Sequence, residues 1–211
     1  MGIHESQSRF YENIIGRSEA FISLIFPKIK ELFPEQFENV SAHDFYLAVN
    51  KAEPSLIRTE ADELTYSMHI MVRYEIEKRL MDGSLSTKDL PNEWNRLYKE
   101  YLGIDVPCDS MGCLQDSHWS GGALGYFPSY SLGSAYGAQF LHKMKQDIDI
   151  DKLVSENRID EVTAWLTEKI HKYGMLLTPA QLIENACGEE FNADYYIEYL
   201  TEKYKKIYDL K

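Results

Sequence analysis

Apolar side chains recur at helical spacing over most of this chain. Phe10, Ile14, Phe21, Ile25, Ile29 and Leu32 fall three, four or seven residues apart, which keeps one face of an α-helix apolar. Pro27, inside this run, has no amide donor, so the pattern predicts a kink or an end there. Ser41-Ala42-His43-Asp44 reads as a helix start, with Phe45, Leu47, Ala48 and Val49 behind it. Thr59-Glu60-Ala61-Asp62 reads as another, Thr59 capping the first free amides and Asp62 answering three residues later. The helix it opens is predicted to run to about Leu80 and to end near Gly83. A third, about Leu90–Leu102, begins around Pro91 and stops at Gly103. Beyond residue 133, helices are predicted at about Ala135–Gln146, Ile159–Tyr173, Pro179–Ala186 and Ala193–Tyr208. Thr178-Pro179-Ala180-Gln181 is the clearest start, with a cap, a first-turn proline and a glutamine to close the capping box.

Residues 103–133 break this pattern. They hold many glycines, two prolines and several aromatics without helical period, which predicts a long structured loop or a few short strands. Long ordered loops in compact domains often carry function. No repeat or low-complexity linker marks a boundary. The expectation is one mostly α, multi-helix domain over residues 1–211 with a single irregular, glycine- and aromatic-rich segment.

Composition narrows the partners. Hydrophobic residues make up 44% of the chain, enough for a substantial core. Acidic residues number 34 against 22 basic, a net charge of −12, which repels phosphate backbones and anionic lipid and argues against nucleic-acid and membrane partners. No apolar run approaches the roughly 20 residues of a membrane span, and the first residues lack the charged and apolar regions of a signal peptide. Cys108, Cys113 and Cys187 are an odd, sparse set that suits reduced thiols in the cytoplasm. The 15 tyrosines suit a substrate groove or, more commonly, the packed edge of a core.

Several polar residues are candidates for chemistry. Arg58, directly before a helix cap, is placed to take a carboxylate in bidentate fashion; the plainer reading is a surface arginine or a partner of Asp62 or Glu63. Asp62, Tyr66, His69 and Arg73 share one helix face, a cleft lining or, by default, the wet face of an amphipathic helix. Gln115-Asp116-Ser117-His118-Trp119 sits in the irregular segment. There His118 can orient or protonate a reacting group, and Asp116 can fix its tautomer or hold another cation; a loop that caps its own backbone is the alternative. Gly121 to Gly133 is glycine-rich but lacks the Gly-Lys-Ser/Thr ending of a phosphate loop. Its tyrosines can offer hydroxyls to an oxyanion or pack an aromatic turn. Cys108, Cys113 and His118 fall five apart, looser than zinc-ribbon pairs, and read better as packed thiols. His4-Glu5 alone signifies nothing.

In combination these segments are more specific. His4-Glu5-Ser6-Gln7, Ile57-Arg58-Thr59-Glu60-Ala61-Asp62 and Gly112 through Trp119, with His69 to Glu75 and Tyr126 to Tyr130, resemble the thermostable (Taq-type) zinc metallocarboxypeptidases. The resemblance covers essentially the whole chain and corresponds to the C-terminal portion of such an enzyme; the His-Glu-x-x-His helix is not in this sequence. It implies an α-rich, cytoplasmic, typically homodimeric peptidase that releases the last residue of peptides with a free C-terminus. Glu5 would be the third zinc ligand, with His4 beside it, and Arg58 would bind the terminal carboxylate. Gln115, Asp116 and His118 would shape the catalytic cleft, and Tyr126 or Tyr130 would contact the scissile group or terminal residue. His69 and Arg73 join the substrate-facing set. Zinc and the general-base Glu of the missing helix would activate water, zinc lowering its pKa to about 7. Two alternatives stand beside this: a helical peptide-binding module without hydrolysis, and a self-contained metal hydrolase using Glu5, His69 and His118.

Overall fold

The computed structural model describes residues 1–211, and its only regular elements are helices, with no strand. In chain order the helices are α1 (Gly2–Arg9), α2 (Glu19–Leu32), α3 (Ala42–Val49), α4 (Tyr66–Met81), α5 (Leu90–Leu102), α6 (Pro128–Asp147), α7 (Ile150–Ser155), α8 (Ile159–Lys169), α9 (Pro179–Cys187) and α10 (Asp194–Ile207). They divide into two compact units, residues 1–50 with 133–211, and residues 51–132.

In the larger unit the long N-terminal run is not one helix. A π-helical stretch, Phe10–Ile15, follows α1, and the chain turns at Gly16 before Ser18 caps α2 by accepting from the Phe21 amide at 3.1 Å. Pro27 lies inside α2 and neither ends it nor begins a new element. It occupies the exposed face, and Ser23, whose carbonyl loses its partner, is exposed too, so that carbonyl is not buried with its bond unmade. Burial of Ile22 and Phe26 on the other face holds the helix together. The core gathers Phe10, Phe140, Met144, Val154, Val162, Leu166 and Ile183.

Helix α7, which the apolar pattern did not announce, contributes Ile150, Leu153 and Val154 to this core; six residues are too few to show a period. Around α9 both bonds of the Thr178/Gln181 capping box form. Thr178→Ala is expected to cost about 1 kcal/mol, read from the urea midpoint at unchanged slope; an unshifted midpoint would show the cap to be idle.

In the unit of residues 51–132, α4 and α5 pack through Val72, Ile76, Trp94, Leu97, Tyr98 and Leu102. Gly103 ends α5 with φ +74°, a left-handed conformation that glycine adopts without a Cβ clash. The start of α4 differs from the sequence pattern. Arg58–Glu60 form one 3-10 turn, Ala61 is extended, and the helix begins only at Tyr66. Thr59 is not the cap. Asp62 instead accepts from the Thr65 amide at 2.9 Å and the Thr65 hydroxyl at 2.7 Å, and also from the Glu53 amide at 3.1 Å.

The irregular segment contains one 3-10 turn, Asp109–Met111, and no strand. Buried Glu77 on α4 clamps it, accepting from Trp119 Nε1 at 3.2 Å and from the Gly125 amide. Trp119 sets its ring edge-on to Trp94 and Phe127, at 6.2 and 5.7 Å. The segment ends earlier than its glycines suggest, because α6 already begins at Pro128. Proline in a first helical turn loses a donor that had no partner there.

Candidate functional site

The unit of residues 51–132 brings Arg58, Arg73, Gln115, Asp116 and His118 together. Asp116 stands between two guanidiniums. Its Oδ1 accepts from Arg58 Nε at 3.0 Å and Nη2 at 2.7 Å, and its Oδ2 accepts from Arg73 Nε at 2.6 Å. The partner of Arg58 is therefore neither Asp62 nor Glu63. All three charges are largely dry: side-chain exposure is 8% for Arg58, 0% for Arg73 and 10% for Asp116.

Gln115 spans the same group. Its Oε1 accepts from the Arg58 amide and from Arg73 Nη2, both at 2.9 Å. Its Nε2 donates to the carbonyls of Leu56 at 3.0 Å and Met111 at 3.1 Å. One side chain thus ties the 3-10 turn, α4 and the irregular segment together, with its amide hydrogen bonds committed to protein partners. Aromatic faces complete the walls. Arg58 lies over Tyr130 at 4.9 Å and Arg73 over Trp94 at 4.7 Å, contacts that strengthen where water is excluded.

The polar stripe of α4 is not its wet face. Tyr66, His69 and Arg73 are buried, while Leu64, Met68 and Met71 on the other side are exposed. Buried polar groups need partners, and this stripe has them only because two other segments bring Asp116, Gln115 and Tyr98 to it. Tyr66 accepts from Arg58 Nη1 at 3.1 Å. His69 Nδ1 pairs with the Tyr98 hydroxyl at 3.1 Å, and His69 Nε2 is buried without a partner. Burial, aided by the Arg73 charge, lowers the His69 pKa to about 4, so His69 is neutral at pH 7. Burial by itself would raise the Asp116 pKa, but the two arginines hold it below the usual carboxylate range. Burial likewise opposes charge on Arg58, and Asp116 more than restores it.

His118 and Tyr130 form a second cluster beside the first. His118 Nε2 and the Tyr130 hydroxyl are 3.0 Å apart, and the His118 ring packs 4.4 Å from that of Phe127. Asp116 Oδ1 is 3.8 Å from His118 Nδ1, too far for a hydrogen bond, so Asp116 acts on His118 through charge. Desolvation outweighs that charge and lowers the His118 pKa. Tyr126 packs against both rings, tilted 5.8 Å from His118 and edge-on 5.3 Å from Tyr130.

Tyr98 was not among the sequence candidates, and nothing local marks it. It sits one turn after Trp94 on the apolar face of α5, and its hydroxyl meets His69, Arg73 and Gln115 only because α5 packs on α4.

The family model described as carboxypeptidase Taq (M32) metallopeptidase matches residues 1–204. The chain belongs to this family. It is 49% identical over 209 residues to carboxypeptidase 1 of Bacillus subtilis (strain 168), covering 99% of this chain and 42% of that protein. It is 44% identical over 205 residues to thermostable carboxypeptidase 1 of Pyrococcus furiosus, covering 97% of this chain and 41% of that protein. The chain thus spans about two-fifths of the length of these relatives. The BsuCP crystal structure superposes with a TM-score of 0.94 at 49% identity, over 98% of this chain and 42% of that one. Trypanosoma cruzi metallocarboxypeptidase 1 superposes at 0.92 and 39% identity, over 97% and 43%.

Membership in a metallopeptidase family implies a metal, and the donors present here can be tested against one. Glu5 lies on α1 in the larger unit, its carboxylate 3.2 Å from Arg9 Nε one turn along the same helix. Gly133 packs directly on it: a Cβ there would stand 2.6 Å from Glu5 Cγ. His4 is exposed. No three His, Cys, Asp or Glu side chains converge anywhere in the chain. A catalytic metal takes three protein ligands and keeps one open position, and a single salt-bridged carboxylate does not meet that requirement. The residues of this chain do not fit a complete metal centre.

Proposed function

We propose that this chain is the carboxylate-recognising portion of a zinc metallocarboxypeptidase, inactive in hydrolysis until further metal ligands are supplied. The observation that carries this reading is one hydrogen-bonded group in which two buried guanidiniums share a single carboxylate. Within that group two cations hydrogen-bond to one acid, and the terminal carboxylate of a peptide is the natural complement. Arg58 is the group that meets it. Three of its five N–H donors are spent on Asp116 and Tyr66, which leaves one on each terminal nitrogen, the pair a bidentate carboxylate takes.

Arg73, Gln115 and His69 then serve as positioning residues behind Arg58, since Arg73 and His69 have no exposed surface. Asp116 holds both arginines in register. His118 and Tyr130 offer a neutral imidazole and a phenol to the scissile amide, and Tyr126 lines the terminal side chain. Glu5 is the one metal ligand this chain contributes. The reading extends to a cytoplasmic homodimer, where free Cys108, Cys113 and Cys187 stay reduced, with no nucleic-acid or membrane partner. No helix is long and apolar enough to cross a membrane.

The test is Arg58→Met in the protein completed with the missing metal ligands. kcat/KM on a peptide with a free C-terminus is expected to fall about 100-fold, the value of one or two charge-assisted hydrogen bonds, while hydrolysis of the C-terminally amidated peptide stays at its own low level. Equal losses on both substrates, or none, would sink the assignment of Arg58. A helical module that binds peptides without cutting them is the second reading, favoured by the lone carboxylate at Glu5. Carboxylate-dependent peptide binding by the completed protein with no release of amino acid selects it.

A further inference from the structure

We propose that Glu77 is a positioning residue for the peptidase reaction: its one carboxylate pins both ends of the loop that carries His118 and Tyr126 and holds those two side chains in register. The proposal rests on the reading above that His118 and Tyr126 meet the peptide.

Glu77 is an acid in a dry place. It is 6% exposed and enters no ion pair. Its partners are two neutral N–H groups, Trp119 Nε1 at 3.2 Å on Oε2 and the Gly125 amide on Oε1. A buried carboxylate without a cation is costly to desolvate, and an apolar side chain would fill the same space without that cost. What the acid supplies is two acceptor oxygens on one rigid group. A glutamine there has a single acceptor and would set its own NH2 against the second donor.

The two donors flank the reacting groups. Trp119 directly follows His118, and Gly125 directly precedes Tyr126. Between them the chain closes on itself: the carbonyls of Ser117, His118 and Trp119 accept from the amides of Gly121, Ala123 and Gly122 at 2.9, 2.8 and 3.0 Å. Residues 117–125 are therefore one compact turn with two legs on a single side chain. The separation at stake is the 5.8 Å between the His118 and Tyr126 rings.

Helix α4 ties this turn to the arginine group. Arg73 and Glu77 are one helical turn apart on its buried side. Arg73 holds Asp116 and Glu77 holds Trp119, so His118 lies between two anchors on the same helix. The Trp119 ring also packs edge-on against Trp94 and Phe127. That packing keeps the segment folded without the carboxylate, so loss of Glu77 should loosen the turn rather than unfold the unit.

The experiment compares Glu77→Gln with the unsubstituted protein in two settings. In residues 1–211, amide hydrogen exchange is expected to quicken at least about tenfold at Ala123, whose bond closes the turn, and to stay within about twofold at Leu97 and Tyr98 in the core of α5. In the protein completed with the missing metal ligands, kcat on a peptide with a free C-terminus should fall at least about tenfold with KM within about twofold, because Arg58 is untouched. The losses from Glu77→Gln and His118→Phe should combine less than multiplicatively. Trp119→Phe keeps an aromatic ring, removes one of the two donors and should give the same pattern more weakly. Unchanged exchange at Ala123 in both variants, quickening shared equally by the α5 amides, a loss carried by KM, or fully multiplicative losses with His118→Phe would overturn the proposal. Local loosening at Ala123 beside an unsubstituted completed protein that releases no amino acid supports the pin and counts against the peptidase reading instead.

Discussion

Asp116→Asn is expected to destabilise the unit of residues 51–132 by about 3–5 kcal/mol, the cost of leaving buried charge without its counter-ion. Arg58 and Arg73 both depend on this one carboxylate, and neither has a second acid within reach in the ion pairs of the structure. Urea unfolding, followed by tryptophan fluorescence with Trp165 of the larger unit replaced by Phe so that only Trp94 and Trp119 emit, reports the change. The double variant Asp116→Asn/Arg73→Met should recover part of the loss, because it removes one of the two stranded cations. Purely additive effects would mean that Asp116 and Arg73 do not act as a pair.

A second large effect is set by pH. The folded pKa of His69, about 4, lies below its ordinary 6.5, so the unfolded chain binds a proton that the folded chain refuses. The stability that neutral His69 contributes is fully present above pH 6.5. It declines as pH falls through 6.5 and is spent near pH 4, a total of about 3 kcal/mol at 1.36 kcal/mol per pKa unit. His118 and His171, whose pKa values burial also lowers, add weaker slopes of the same sign. His69→Gln keeps a hydrogen-bonding group toward Tyr98 and cannot be protonated, so most of the slope between pH 6.5 and 4 should vanish from its stability profile. A profile as steep as that of the unsubstituted chain would place the acid sensitivity elsewhere. Asp116 is separable, because its depressed pKa keeps it ionised through this window and releases its contribution only below the ordinary carboxylate value of 3.8.

Where a signal was local, the sequence carried it. The capping box at Thr178 and Gln181 needs only four consecutive residues, and so does the one at Ser41 and Asp44. Gly103 stops α5 because of its own backbone freedom. The predicted bounds of α5, Leu90 to Leu102, are the observed ones. Thr59 shows where local signals compete. It had a cap's residue type and spacing, but Asp62 found the Thr65 amide and moved the helix start to Tyr66.

The candidate site was legible as a set of segments but not as an arrangement. Arg58, Gln115, Asp116 and His118 stand out by residue type and by their likeness to family motifs. That Asp116 pairs with two arginines, 58 and 43 positions away, has no trace in local spacing. The stripe of Asp62, Tyr66, His69 and Arg73 was expected to face water because isolated polar stripes usually do. Its burial depended on partners that no helical wheel contains.

The sequence by itself determined that this chain is helical, where most helices stop, and which family it resembles, because caps, glycines, apolar periods and short motifs act over a few residues. Only the tertiary structure decided which face of α4 is inside, what Arg58 is bound to, and that Glu5 pairs with Arg9. The first two facts follow from charges and hydroxyls meeting across long sequence separations. There the cost of desolvation, rather than any local preference, selects the partners.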